Sequence, residues 1–385
     1  MRNFIHLGQP LFGKEEKREV SRALDSGWVT LGPKTRQFEE DLARYVGSKY
    51  AVAVSSCTAG LHLSLLAAGI GQGDEVITTI FTMAATSNTI IHSGATPVFV
   101  DIDRKTFNID SSEIEEKITR KTKAILVMHY GGHPVDLNSI HRIAKRHKLL
   151  VIEDAATAIG AKYNSKKIGP ISDMTVFSFH PIKNISTGDG GMVTTNNKHF
   201  AEALSILRLH GMNKDAWKRH SQVGSWKYDI VIPGFKYNMT DIQAALGIHQ
   251  LRKLERFIKI RAKYAKMYDK AFSKIPEITI PFVSKNVRHP RNLYTVTIDF
   301  NKLRIKRDEL IEELKSQNIG ANAYYIPLYE FTYYKKKFGL KSRDFPVTNF
   351  IFSNLVTLPL YPKMKASDVT YIMKVLASLI AKNRK

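Results

Sequence analysis

Short apolar runs alternate with helix-like segments through the first half of the chain. Seven runs predict strands: Ala51–Ser56, Glu75–Phe81, Thr96–Asp101, Ala124–His129, Leu149–Asp154, Met174–His180 and Gly191–Thr195. Most of them are continuously apolar, which is typical of strands buried on both faces. The segments between them predict helices: Thr58–Ala68, Ala84–His92, Ser112–Ile118 and Leu137–His147. This alternation indicates a mainly parallel, seven-stranded sheet with helices on both faces.

The second half of the chain is organised differently. A long loop, Gly211–Pro233, carries Trp217, Trp226 and Tyr228, and a strongly helical stretch, Asp241–Phe272, follows it. The later elements predict a smaller α+β unit: Tyr294–Phe300, Arg307–Gln317, Asn322–Ile326 and Ser367–Ala381. We therefore predict a large α/β domain over residues 1–250 and a small C-terminal α+β domain over residues 251–385.

Composition excludes several classes of protein. The 385 residues are 43% hydrophobic, which is enough to build a core and argues against a disordered chain. Cys57 is the only cysteine, so a disulfide scaffold is excluded. No run of about 18 apolar residues is present, and the first residues lack the apolar core of a signal peptide. These features predict a cytoplasmic protein without membrane insertion.

The charge is strongly positive and uneven. The chain carries 58 basic and 35 acidic residues, a net charge of +23. Residues 251–385 hold 28 basic and 11 acidic residues, so they contribute +17 of that excess. A basic region of this kind suits nucleic acid, an anionic membrane surface or a phosphorylated small molecule, and it is equally compatible with a merely solvated surface. Charge alone does not decide between these interpretations.

Residues with chemical potential follow three of the predicted strands. Ligands of parallel sheets bind beyond the carboxyl ends of the strands, so residues at those positions are candidates for a ligand site. Thr58 and Ala59 open a helix after the first strand, where free N–H groups suit a phosphate, although a simple helix cap is the alternative. Asp154 ends the fifth strand. Lys183 follows the sixth strand, close to the glycines of the Gly188–Gly191 segment, in a position where burial would make its amine nucleophilic.

A phosphate cradle, an aspartate and then a lysine is the order expected of a pyridoxal-phosphate enzyme with the aspartate-aminotransferase fold. The segment Phe177–Gly191 (FSFHPIKNISTGDGG) resembles the Schiff-base motif of the DegT/StrS family of nucleotide-sugar aminotransferases. Further segments resemble the same family in the same order: Ser26–Pro33, Ser55–Leu63, Gly94–Asp103, Glu153–Ala161, Gly234–Gly247, Tyr324–Leu328 and Leu358–Pro362. The resemblance spans nearly the whole chain and implies PLP fold type I.

The resemblance implies roles for particular residues. Lys183 matches the lysine that forms the Schiff base and moves the proton, and Asp154 matches the partner of the pyridine nitrogen. Thr58, Ala59 and Ser178 match phosphate-binding positions. Asn238 resembles a residue that reaches the cofactor phosphate of a neighbouring subunit, which implies a homodimer with shared active sites; Lys236 is the competing position. Met83 occupies the place where many members stack an aromatic ring on the cofactor.

Some positions depart from the family pattern. Thr157 stands where the family often has His or Gln near the phenolic oxygen of the cofactor, and Asp189 replaces a common Glu. Tyr324 and Tyr329 replace frequent histidines in the motif that meets the sugar nucleotide. These two tyrosines, together with Gly32 and His180, are the predicted substrate residues, and His180 is expected mainly to orient its loop. No group of residues shows metal-ligand spacing, so no metal site is expected.

The resemblance implies transfer of an amino group from L-glutamate to a keto sugar attached to a nucleotide diphosphate, in the biosynthesis of amino sugars and polysaccharides. The pair His180-Pro181 resembles the branch that aminates C4, which predicts a 4-keto-6-deoxy sugar as acceptor. Amination of C3 or of a cyclic ketone by the same fold is one alternative. A dehydratase subgroup has histidine in place of the lysine, and Lys183 argues against it. A regulatory nucleic-acid-binding relative is another alternative, and it ranks far behind because both Lys183 and Asp154 are present.

Overall fold

The computed structural model describes residues 3–213 and 227–385. Trp217 and Trp226 of the predicted long loop lie outside the described residues. The α-helices of the described part, in chain order, are α1 Lys14–Asp25, α2 Pro33–Val46, α3 Cys57–Ala67, α4 Ala84–His92, α5 Leu137–His147, α6 Lys198–Leu207, α7 Asp241–Phe272, α8 Arg307–Ser316, α9 Thr332–Phe338, α10 Pro346–Asn354 and α11 Ala366–Lys382. None of these helices combines the length and the apolar character needed to cross a bilayer.

The strands of residues 3–213 and 227–385 form three sheets. They are β1 Tyr50–Val54, β2 Glu75–Thr79, β3 Thr96–Val100, β4 Thr122–Met128, β5 Leu150–Asp154, β6 Lys162–Tyr163, β7 Lys166–Lys167, β8 Met174–Ser178, β9 Gly191–Thr195, β10 Ile278–Thr279, β11 Val287–Arg288, β12 Tyr294–Ile298 and β13 Leu355–Leu358. The main sheet has the order β1-β9-β8-β5-β4-β2-β3. Only β9 runs antiparallel to its two neighbours, while the other pairings in this sheet are parallel. The predicted seven-stranded, mainly parallel sheet is confirmed.

Helices cover both faces of this sheet because its strands are apolar on both sides. On one face, α3 and α6 pack through Leu61 and Leu204 against β1, β5 and β8. On the other face, α2, α5 and the first part of α7 pack through Phe38, Ile140 and Leu254 against the same strands. The main sheet is therefore an interior layer, and its strand ends are the places where polar side chains can reach a ligand.

A second core lies around the antiparallel sheet β10-β12-β13. It contains Val296 of β12 and Val356 of β13 together with residues of α8 and α11. The 32-residue helix α7 serves both cores, because residues up to Ile258 pack in the first and Tyr264 and Tyr268 pack in the second. The domain boundary that we predicted, between residues 250 and 251, thus falls inside a continuous helix.

Two local predictions differ from the structure. The predicted helix Ser112–Ile118 forms only a single 3-10 turn, Glu115–Lys117. Ser112 instead donates its backbone N–H and its hydroxyl to the Asp110 carboxylate, and so short a segment does not nucleate an α-helix on its own. The predicted element Asn322–Ile326 forms only an isolated bridge from Asn322 to Thr357, since its chain turns away after one paired residue.

The Asp241 carboxylate joins the start of α7 to the start of α2. It accepts hydrogen bonds from the backbone N–H groups of Gly32, Lys34 and Thr35, at 2.9, 3.0 and 2.9 Å, and from the Thr35 hydroxyl at 2.7 Å. Asp241 is almost completely buried. A carboxylate at a helix N-terminus satisfies N–H groups that have no partner inside the helix and interacts favourably with the helix dipole.

Replacement of this buried carboxylate is expected to destabilise the fold. We expect Asp241→Ala to lower the free energy of unfolding by roughly 2–3 kcal/mol, because several buried donors lose a charged acceptor. Chemical denaturation followed by circular dichroism measures this loss. Asp25→Ala, at an exposed carboxylate of α1, is the control and should stay within about 0.5 kcal/mol of the wild type. Equal stability of the two variants would contradict the capping role.

Candidate active site

A cavity of about 390 Å³ opens at the carboxyl edge of the main sheet. It lies where β5 and β8 end and where α3 begins. Its walls include Ser56, Cys57, Thr58, Leu61, Met83, Ala85, Met128, Asp154, Ala156, Thr157, Ser178, His180, Ile182, Lys183, Asp189, Asn292, Leu293, Tyr324 and Tyr325. A larger hollow of about 850 Å³ lies between α10 and the β10-β12-β13 sheet, which is called the second sheet below. None of the predicted site residues lines this hollow. The predicted chemistry therefore converges on the smaller cavity, which is within the size range of cofactor and ligand sites.

Asp154 is the last residue of β5 and is buried. Its Oδ2 accepts a hydrogen bond from the Thr86 hydroxyl at 2.7 Å, and its Oδ1 accepts one from the Ala156 N–H at 3.1 Å. The Cys57 thiol lies 3.9 Å from Oδ1. Burial, and then the charge of Asp154, raise the pKa of Cys57, so this thiol stays protonated and acts as a weak donor. Asp154 is thus a carboxylate held in one orientation at the wall of the cavity.

Lys183 reaches the same cavity from the turn after β8. Its backbone N–H donates to the carbonyl of His180 at 2.9 Å, and its side chain is half-buried. Burial lowers the pKa of the Lys183 amine, while the negative charge of Asp154 opposes the shift. A lysine with a lowered pKa is more often neutral near pH 7, and the neutral amine is the nucleophilic form.

The N-terminus of α3 forms the third side of the site. The Ser56 side chain caps this helix by accepting the Ala59 N–H at 3.0 Å. The N–H groups of Cys57 and Thr58 belong to the first turn, where a helix provides no acceptor for them. Gly60 lets the helix lie directly on β8, because a Cβ there would come within 2.6 Å of Val176. This helix end and the hydroxyls of Thr58 and Ser178 together suit an anionic group such as a phosphate.

A fully buried, hydrogen-bonded pair of side chains, His129 and Glu153, lies behind the site. His129 Nε2 lies 2.6 Å from Glu153 Oε2, and both side chains are inaccessible to solvent. His129 Nδ1 accepts the Val135 N–H at 3.1 Å, so Nε2 carries the proton that is donated to Glu153. Burial would raise the pKa of Glu153, but hydrogen bonds from His129 and Thr175 outweigh burial and keep this pKa below its usual value. The Thr157 hydroxyl donates to the His129 carbonyl at 2.7 Å, which fixes Thr157 in the cavity wall.

The opening of the cavity carries the more exposed predicted residues. Met83 is 58% exposed, and His180 is exposed as well. His180 Nδ1 accepts the Ile182 N–H at 3.4 Å, a contact that helps to order the turn before Lys183. Burial and the nearby Lys183 charge lower the pKa of His180, so its ring is mainly neutral at pH 7. Tyr324 lies at the same opening, and its carbonyl accepts a hydrogen bond from the Tyr130 hydroxyl.

Four predicted site residues lie outside the cavity walls. Ala59 is buried behind the helix end, and Gly32 caps α2. A Cβ at Gly32 would come within 1.9 Å of the Trp28 indole nitrogen, so close packing alone requires glycine there. Tyr329 is buried in an apolar cluster with Phe345, away from the cavity.

Asn238, the fourth of these residues, is buried beside the sheet. It pairs with Val54 at the end of β1, directly before the segment that opens α3. Its side-chain amide donates to the Met239 carbonyl at 3.1 Å.

Sequence reasoning did not assign several residues that shape the site. Thr86 holds Asp154, Tyr325 lines the cavity beside Tyr324, and Asn292 and Leu293 reach it from the segment before β12. Thr86 is the third residue of the predicted helix Ala84–His92, which follows a predicted strand. This position indicates that Thr86 lies near the carboxyl edge of the sheet. Asn292 and Leu293 carry no motif, and only the folding of the chain brings the segment before β12 to the cavity.

The residues fit pyridoxal phosphate. The cavity combines a helix end for the phosphate, a buried carboxylate for the ring nitrogen and a lysine with a lowered pKa for the aldehyde. Asp154 is also hydrogen-bonded by Thr86 and Ala156 in a way that leaves the carboxylate at the cavity wall. Each functional part of this cofactor therefore finds a complementary side chain or backbone group.

Comparison with known proteins agrees with this assignment. The family model of the DegT/DnrJ/EryC1/StrS aminotransferase family matches residues 10–377. The chain is 50% identical over 382 residues to the uncharacterized protein MJ1066 of Methanocaldococcus jannaschii, with 99% of each chain covered. It is 46% identical over 379 residues to the spore coat polysaccharide biosynthesis protein SpsC of Bacillus subtilis, covering 98% of this chain and 97% of SpsC.

A solved structure resembles the whole molecule. Spr1654 of Streptococcus pneumoniae, assigned as a sugar aminotransferase, superimposes in its PMP form with a TM-score of 0.93 at 34% identity, covering 98% of this chain and 99% of Spr1654. Its PLP form superimposes with a TM-score of 0.92. The predicted fold type and cofactor are confirmed by these similarities. The chain belongs to the DegT/DnrJ/EryC1/StrS aminotransferase family and is a sugar aminotransferase that depends on pyridoxal phosphate.

Proposed function

We propose that this enzyme transfers the amino group of L-glutamate to C4 of a 4-keto-6-deoxy sugar linked to a nucleotide diphosphate. The observation that carries the proposal is the convergence of Lys183, Asp154 and the N-terminus of α3 on one cavity. The pair His180-Pro181 directly before Lys183 supports C4 as the position of the new amine. The relationship to SpsC supports a product used in polysaccharide biosynthesis. The basic residues of 251–385 suit an anionic sugar nucleotide.

Each of the main residues of the cavity has a separate role in the proposed reaction. Pyridoxal phosphate held in this cavity would supply an aldehyde as the carrier of the amino group and a ring that can accept electrons. Lys183 removes a proton from the donor carbon as a neutral amine and later returns a proton to the sugar carbon. The Asp154 carboxylate, oriented by Thr86, holds a proton on the ring nitrogen. The first turn of α3 and the Ser178 hydroxyl bind the phosphate.

We also propose that the enzyme acts as a homodimer with shared active sites. Met83 is 58% exposed at the opening of the cavity, and Tyr228, Ile230 and Val231 are about half exposed, with 50%, 49% and 48% of their surface accessible. Large apolar groups with this exposure suit contact with a second copy of the chain. Asn238, close to the start of α3, is the residue that we propose reaches toward the neighbouring subunit's phosphate site. Tyr324, which lines the cavity, remains a proposed sugar-nucleotide residue, whereas Gly32 and Tyr329 lie outside the cavity walls and are not proposed to contact the substrate.

The acceptor is identified by spectroscopy with purified holoenzyme. L-Glutamate should abolish the visible absorbance band of the bound cofactor, and a nucleotide-linked 4-keto-6-deoxy sugar should restore it. Nuclear magnetic resonance of the product should place the new amine at C4. Restoration only by a 3-keto isomer would assign amination of C3 instead. No restoration by any keto sugar in the panel would contradict the proposed substrate class.

Lys183→Ala is expected to abolish covalent attachment of the cofactor and to reduce turnover at least about 1,000-fold, because nucleophile and proton carrier are lost together. Borohydride reduction and peptide mass analysis measure the attachment site. Lys167→Ala is a matched control, since burial also lowers the pKa of Lys167, which is hydrogen-bonded to the Tyr45 carbonyl outside the cavity. Attachment that survives in Lys183→Ala would show that another lysine holds the cofactor.

Asp154→Asn is expected to keep the fold and to slow proton transfer about 100-fold or more, because the ring nitrogen loses its negative partner. It should also lower the pKa of Lys183 further, since Asp154 raises that pKa against the effect of burial. The pH midpoint for reaction of Lys183 in the cofactor-free enzyme would then move to lower pH. Thr86→Val retains the charge and should have a smaller effect on both quantities. Near-normal turnover in Asp154→Asn would exclude Asp154 from the mechanism.

A further inference from the structure

Arg261 is a buried cation without a carboxylate partner among the described residues. It lies on α7 between the parts of that helix that serve the two cores, and it is 2% exposed. Burial lowers the pKa of its guanidinium to about 9. Burial of a charge without an opposite charge is unfavourable, so an apolar residue of similar size would serve better if only packing mattered. Packing alone therefore does not explain why an arginine occupies this position.

The guanidinium donates hydrogen bonds to three separate segments of backbone. Its Nη2 donates to the carbonyl of Lys183 at 3.4 Å. Its Nη1 donates to the carbonyl of Asn292 at 3.3 Å and to that of Leu360. The planar group of arginine has several donors in a rigid arrangement, which a lysine ammonium lacks. One side chain thus joins the active-site lysine to the segments that precede β12 and follow β13.

Asn292 adds contacts on both sides of the same lysine. Its side-chain amide donates to the carbonyl of Ile182 at 3.4 Å and to Oδ1 of Asn184 at 3.1 Å. Asn184 in turn donates to the carbonyl of Ile159 at 3.4 Å. Asn292 and Asn184 are both buried. Residues 182, 183 and 184 are consequently each held by a polar side chain that is shielded from water.

We propose that Arg261 and Asn292 are positioning residues. They clamp the main chain at Lys183 and thereby direct its amine into the cavity. The inference rests on the role of Lys183 in the proposed function. Asn292 and Leu293 also line the cavity, so the clamp and the substrate wall belong to the same segment. Arg261 and Asn292 donate to the carbonyls of Lys183 and Ile182, and both are proposed to act through this backbone.

The clamp is tested by the rate at which pyridoxal phosphate becomes attached to Lys183, a condensation of amine and aldehyde that releases water. Arg261→Met and Asn292→Ala should each slow the attachment about 10-fold or more in the cofactor-free full-length enzyme, because small displacements of a reacting group are costly. Both should change the visible circular dichroism of the attached cofactor, which reports its orientation. In the donor half-reaction of Arg261→Met, kcat should fall while KM for the donor changes little, because Arg261 does not line the cavity.

Tyr268→Phe is the matched control. Tyr268 lies two turns further along α7, is buried, and donates to the carbonyl of Pro359, next to Leu360, at 3.0 Å. Its loss weakens the same attachment of α7 to the segment after β13 without touching Lys183. Attachment rate and circular dichroism in this variant should stay within about twofold of the wild type.

The outcomes separate positioning from stability alone. A lower melting temperature in Arg261→Met with unchanged attachment rate and visible circular dichroism would overturn the proposal. If Arg261→Met does not fold, Asn292→Ala decides by the same two measurements. Attachment that persists in Lys183→Ala would instead refute the assignment of the lysine, which distinguishes a failure of the proposed function from a failure of the clamp.

Discussion

The arrangement of the site depends on one constraint, the burial of a carboxylate and a lysine in a single cavity at the edge of a parallel sheet. Asp154 ends β5, and Lys183 follows the neighbouring strand β8, so the sheet itself brings the two residues together. Burial lowers the pKa of Lys183, and the charge of Asp154 limits this shift. The amine therefore stays basic enough to take a proton and neutral enough to act as a nucleophile.

Polar residues at and behind the cavity wall hold Asp154 and Thr157 in place. Thr86 and the backbone of Ala156 hold Asp154, while His129 and Glu153 hold the turn that carries Thr157. Each of these groups is buried and hydrogen-bonded, so rearrangement would leave a polar group without a partner. The cavity is in this sense formed before a ligand arrives. Preorganised groups of this kind do not need to reorient when charge develops during the reaction.

Helix α7 connects this site to the rest of the molecule. Asp241 at its start caps α2, and Arg261 in its middle reaches the carbonyl of Lys183. Its later residues pack in the core of the second sheet. The two cores are thus joined by a continuous rigid element rather than by a flexible linker, which places the segment before β12 in contact with the active-site turn.

Patterns in the chain were sufficient to predict the main sheet and to place Lys183 and Asp154 at its carboxyl edge. Their physical basis is local, since apolar runs define buried strands and the residues after a strand must lie at the sheet edge. The helix predicted at Ser112–Ile118 forms only one 3-10 turn, because Ser112 hydrogen-bonds to the Asp110 carboxylate and so short a segment nucleates a helix poorly. Gly32 illustrates another limit, because its need for glycine comes from Trp28 and its N–H bonds to Asp241, 209 positions away. The contacts of Thr86, Arg261 and Asn292 were decided only by the tertiary structure, since each joins segments that no sequence period relates.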